Sequence, residues 1–104
     1  MAQIILLYKL QDGVSKADFH EWIRTVDYPA MRGLASVESF KTYETQQLLM
    51  GEGSPSVQYV EVFDINDMAA FTGSDMPGET VQSVMGQFMG FAEAPEFIIA
   101  EEVK

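Results

Sequence analysis

The sequence predicts an α+β domain with the element order β-α-β-β-α-β, a four-stranded antiparallel sheet carrying its helices on one face. Three observations predict it. Short β-rich apolar runs fall at residues 2–10, 36–46, 57–65 and 96–103; stripes at helical spacing follow the first and third of them; and turn or cap signals separate the segments. With 104 residues the chain makes one domain around one core.

The first strand, AQIILLYKL, stops at the Asp12-Gly13 turn signal. Ser15 and Asp18 form a capping-box-like start, after which Phe19, Trp22, Ile23, Val26 and Ala30 recur at helical spacing. Pro29 disfavours helical geometry at Tyr28 and Gly33 is a natural stop, so this helix should kink or end between them. Residues 36–46 and 57–65 should pair as a hairpin across the loop QLLMGEGSPS. Asn66 and Asp67 open a short helix through Phe71, TGSDMPG should break it, and Val81, Val84, Met85 and Phe88 supply the stripe of a further helix. EFIIAEEV is the last strand. The order is the ferredoxin-like split βαβ plan.

The first strand also predicts a partner. Ile4, Leu6, Tyr8 and Leu10 face one way and Ile5, Leu7 and Lys9 the other, so both faces are mainly apolar although helices in this plan cover one. A second copy stacked sheet to sheet, a homodimer closing a dimeric α+β barrel, is the economical cover.

Charge narrows the function. Sixteen acidic residues against six basic give a formal charge of −10, which repels phosphate backbones and anionic lipid and argues against nucleic-acid or membrane-surface partners. The chain has no cysteine and one histidine, too few donors for a metal site. GEGSP lacks the strand-to-helix context and the lysine of a phosphate loop, so no cofactor is expected. No apolar run reaches the roughly 18 residues of a membrane helix, and the expected location is the cytoplasm.

Residues 18–43 gather the only histidine, the only tryptophan and both arginines into one helix and its exit. On an ideal helix Asp27, His20, Met31 and Arg24 follow one another round the edge of the apolar stripe, a polar ribbon that could line a substrate pocket or be an ordinary half-exposed edge. Histidine is the usual proton shuttle near neutral pH, which makes His20 a catalytic candidate, with Asp27 as general base or as the group orienting it. Arg24 and Arg32 suit bidentate recognition of a carboxylate, or simply offset an acidic surface. On the third strand Tyr59, Glu61 and Phe63 share a face, so Glu61 is either a proton donor of raised pKa between aromatics or a solvent-facing acid, with Tyr59 beside it as a substrate contact. Trp22 and Tyr8 read as core, and Met50 and Met76 lie in glycine-containing loops that could cover a greasy ligand.

The segments VDYPAMRGLASVESF at 26–40, with the pattern D-x-P-x-x-R-x-L-x-S-V, and GSPSVQYVEVFDINDMAAF at 53–71 resemble the RedY-like family, close to its HapK-type members found with prodigiosin-type pigment pathways. More distantly the chain resembles the EthD-type and antibiotic-biosynthesis-monooxygenase-type dimeric α+β barrels. The resemblance implies a small cytoplasmic dimer acting on an aromatic pyrrole or indole intermediate of secondary metabolism, some members being cofactor-free cyclases that close a carbocyclic ring on coupled indoles. EthD-type relatives often carry histidine, in an H-x-P pattern, where this chain has Asp27, so their chemistry is not carried over. Three classes follow: a cofactor-independent cyclase or tailoring enzyme, a cofactor-free monooxygenase, and a non-catalytic carrier of a pathway intermediate.

Overall fold

The computed structural model describes residues 1–104. Strands β1 (Ala2–Leu10), β2 (Val37–Glu44), β3 (Tyr59–Ile65) and β4 (Ala92–Glu101) form one antiparallel sheet in the order β2-β3-β1-β4. The helices lie on one face, where Leu6, Tyr8 and Leu10 of β1 and Tyr59, Phe63 and Ile65 of β3 are buried with Phe19, Trp22, Val81, Val84 and Phe88. This is the ferredoxin-like plan that the element order predicts.

The first helical segment departs from a plain α-helix. Ser15 caps α1 (Lys16–Trp22), its hydroxyl accepting from the Asp18 N–H at 3.3 Å. Residues Ile23–Asp27 then form a π turn that leads into α2 (Tyr28–Arg32), which Gly33 ends. Pro29 has no N–H to give the carbonyl four residues back and its ring crowds that carbonyl. The chain responds by widening: the Tyr28 N–H reaches five residues back to the Ile23 carbonyl.

The same device recurs where the sequence predicts a break. Asp67 caps α3 (Met68–Ala70), and TGSD does not interrupt the helix; Phe71–Asp75 is a second π turn, closed by the Met76 N–H on the Phe71 carbonyl at 2.7 Å. Pro77 stands to Asp75 as Pro29 does to Asp27, so each π turn ends in Asp-x-Pro. Helix α4 (Glu79–Phe88) then buries Val81, Val84 and Phe88.

Strand β4 begins earlier than its apolar run. Ala94 takes a φ of 42° and the pairing with β1 shifts between Leu7 and Lys9, so Pro95 sits at a bulge on an edge strand, the place in a sheet that tolerates proline. The face away from the helices carries Ile5, Leu7, Val60, Val62, Ile98 and Tyr43 across four paired strands, with Ile98 and Tyr43 exposed and no element of the chain over them.

Candidate active site

A cavity of about 540 Å³ opens between the helix layer and the sheet. Its walls are apolar: Leu6 and Ile4 from β1, Phe63 from β3, Met31 from α2, Phe71 and Met76 from the second π turn and its exit, and Val81, Val84, Met85 and Phe88 from α4. Phe97 and Ile99 of β4 line it while remaining 48% and 64% exposed, as expected of side chains at the rim.

Two carboxyl groups interrupt this lining. Asp27 at the end of the first π turn is 4% exposed and Glu61 in the middle of β3 is 2% exposed. Each is there for a local reason. The π turn inserts a residue into the helix and turns everything beyond it by roughly 100°, which carries Asp27 away from the flank of His20 and towards the sheet. Glu61 lies directly opposite Leu6 and alternates with Tyr59 and Phe63, so the pleat aims it at the helix layer.

Glu61 accepts a hydrogen bond from the buried Tyr8 hydroxyl, whereas Asp27 has no hydrogen-bond donor from the protein. Burial pushes Asp27 up to about 7, against a smaller downward pull from Arg32. Burial, and next the charge of Asp27, push Glu61 up to about 8, while the Tyr8 hydrogen bond opposes them. Tyr8 is itself held far above the ordinary phenol range by burial and by Glu61, so its hydroxyl stays a donor. Both values lie close to neutrality, so the cavity holds two acids that can take up and release protons there, as acid-base chemistry needs.

The remaining predicted site residues lie elsewhere, and the ribbon expected on helix one is split. His20 sits in a separate cleft of about 180 Å³, where its Nε2 is hydrogen-bonded to the Tyr59 hydroxyl at 2.8 Å. Tyr59 therefore turns its polar end to that cleft rather than to Glu61, and its ring stacks on Tyr8 at 5.5 Å. Arg24 borders the same cleft, largely exposed, and reaches Glu21 at 3.3 Å. Arg32 lines neither of these cavities: its Nε and a terminal nitrogen donate to the Phe40 carbonyl at 3.0 and 2.8 Å, and the guanidinium lies 3.6 Å over the Tyr28 ring. Met31 does line the main cavity beside Asp27. Met76 lies in the short turn through Gly78 that follows the second π turn and lines the cavity, while Met50 is an exposed loop residue outside it.

Tyr8 was legible only as core. The signal that finds it is the β1–β3 register, which sets Tyr8 opposite Tyr59 and hence diagonal to Glu61 on the same face.

The family model for the REDY-like protein HapK matches residues 2–103. The chain belongs to this family. Among solved structures it is similar to HapK from Hahella chejuensis, at 31% identity and a TM-score of 0.80, over 99% of this chain and 93% of that one. It is also similar to an EthD family protein from Bacillus halodurans, at 20% identity and a TM-score of 0.77 over 99% of both chains, and to a DABB family protein with a ferredoxin-like fold from Mesorhizobium loti, at 11% identity and a TM-score of 0.72 over 99% and 97%. These two likenesses show the fold alone. No functionally curated protein matches the chain in sequence. No group of three or more histidine, cysteine or acidic side chains is arranged to hold a metal ion, and no helix is long and apolar enough to cross a membrane.

Proposed function

We propose that this HapK-family chain is a secondary-metabolite pathway protein that binds a pyrrole or indole intermediate in the main cavity and moves protons on it without a cofactor, in a ring closure or a related tailoring step. The observation that carries the reading is the pair of buried acids in an otherwise apolar cavity. An apolar wall binds a flat ring system and holds it in a reactive geometry. The carboxylate of Asp27 removes a proton from one position of the bound molecule and the carboxylic acid of Glu61 delivers one to another, so the substrate rearranges with no net gain or loss of protons. Met31 and the rim residues Phe97 and Ile99 shape the space around it. Two such chains, joined through the uncovered sheet faces, make up the working molecule. Two structural relatives, from Thermobifida fusca and Bacteroides fragilis, are described as dimeric.

The test is turnover of bipyrrole and bisindole compounds by Asp27→Asn and Glu61→Gln. Removing a general acid or base costs about 10² to 10⁴ in rate, and both variants keep the size and hydrogen-bonding shape of the original, so each should stay folded and lose turnover on that scale. Wild-type turnover in both would sink the proposal and move the search to the His20 and Tyr59 cleft. Ligand returned unchanged by the wild-type protein would identify a carrier instead of an enzyme, and oxygen uptake a monooxygenase.

A further inference from the structure

We infer that the cavity selects flat nitrogen heteroaromatics that present N–H donors, binds them best as cations, and discriminates against aromatic ligands that carry a carboxylate. This rests on the cavity being the ligand site and adds the charge class of what enters it.

The ionisable side chains in the lining are Asp27 and Glu61, both acids, and the lining contains no lysine, arginine or histidine. The cations of the neighbouring helices are engaged elsewhere: Arg32 by the Phe40 carbonyl and the Tyr28 ring, Lys16 by Glu44 at 2.7 Å, Arg24 by Glu21 on the surface. The one hydroxyl of the lining, on Thr72, donates to the Met68 carbonyl. A ligand carboxylate, which only accepts hydrogen bonds, would find no donor in this cavity besides the protons of the two acids themselves, and once those are lost at alkaline pH it would lie beside two negative charges in a water-poor space. A ligand N–H meets the opposite situation. Asp27 is buried and aimed into the cavity with no protein donor, so an N–H that reaches it satisfies an acceptor the fold leaves open, and a positive charge on the ligand makes that hydrogen bond charge-assisted. An arginine clamp for an anionic intermediate, expected from the sequence, is therefore replaced by an acidic clamp for a basic one.

Three tricyclic fluorophores separate the contributions of shape and charge: proflavine, a cation with N–H donors; carbazole, neutral with one N–H; and anthracene carboxylate, an anion. Each is titrated into the purified protein at one alkaline pH and moderate salt, and fluorescence is read. Proflavine should bind at least about 10-fold more tightly than anthracene carboxylate. Asp27→Asn should weaken proflavine by a similar factor, and Glu61→Gln provides the same test should Asp27→Asn fail to fold. Glu102→Gln, an equal charge change on the exposed C-terminal end, should leave its affinity within about 2-fold, because solvent and salt screen an exposed charge. Equal or tighter binding of anthracene carboxylate overturns the inference, as does equal weakening of proflavine by Asp27→Asn and Glu102→Gln, which would mean that net charge alone attracts the dye. If none of the three binds, the reading of the cavity as a ligand site fails with it; if carbazole binds without any preference for the cation, only the charge inference fails.

Discussion

An ordinary aspartate or glutamate is ionised at neutral pH, and the burial of Asp27 and Glu61 changes that by taking the charged forms out of water. The consequence for rate is a bell-shaped pH profile: kcat/KM should rise as Asp27 loses its proton near about 7 and fall as Glu61 loses its own near about 8. Tyr8 belongs to this balance because its hydrogen bond favours the charged form of Glu61. Tyr8→Phe should therefore move the alkaline limb to higher pH and leave the acidic limb in place, and a steady-state pH profile of the variant that overlays the wild type would remove Tyr8 from the account. Glu61 is legible as a candidate because alternation along β3 places it without knowledge of the fold, and Met31 because it shares the polar ribbon of helix one with Asp27, beside which it lines the cavity beyond the π turn. Tyr8 was not, since a tyrosine in an apolar strand has the pattern of core until the strand that pairs with it, and its register, are known.

The π turn decides what helix one presents. An ideal helix puts His20, Arg24 and Asp27 on one flank, and the inserted residue swings Asp27 off it, so one turn of irregular helix separates an exposed polar edge from a buried acid. The sequence signal is present in Pro29, which by itself predicts a kink or an end; the Asp-x-Pro at 27–29 and again at 75–77 is what marks a widened turn here. The second π turn has a matching role in placing Phe71 and Met76 on the cavity, and the Ser36 hydroxyl ties it to β2 by donating to Asp75. Pro29→Ala restores an N–H and removes the crowding of the carbonyl four residues back, which favours a regular α-helix. The variant should fold, rotate Asp27 towards the His20 flank, and lose at least about 10-fold in turnover, a smaller loss than removing the carboxyl outright. Full activity in Pro29→Ala would show that packing against the sheet, not the proline, holds the turn.

For the molecule as a whole, the helices cover one face of the sheet and leave Ile5, Leu7, Val60 and Val62 in a row on the other. That pattern was readable in β1 alone, and the structure adds which residues form the uncovered face. Leu7 is half-buried there and outside the core, so Leu7→Glu should leave each chain folded and convert the proposed dimer to an 11.6 kDa monomer by light scattering. The buried acids also tie the stability of the whole fold to pH. Both carboxyls have folded-state pKa values above their unfolded ones, so between about pH 4 and 8 the folded chain holds protons that the unfolded chain has released, and stability falls as pH rises through that window and levels off above it. Glu44 and Asp64, lowered by Lys16 and by Ser39 and Gln3, act in the opposite direction and lose their contribution only in acid. Comparing the wild type with Asp27→Asn/Glu61→Gln cancels them. The decisive measurement is urea unfolding of both proteins across this pH range: the wild type should lose stability relative to the double variant at roughly 1.4 kcal/mol per pH unit for each proton held, leaving the double variant the more stable protein at pH 8, whereas a pH-independent difference, or a variant less stable than the wild type at pH 8, would contradict a pair of buried acids of raised pKa in an apolar cavity.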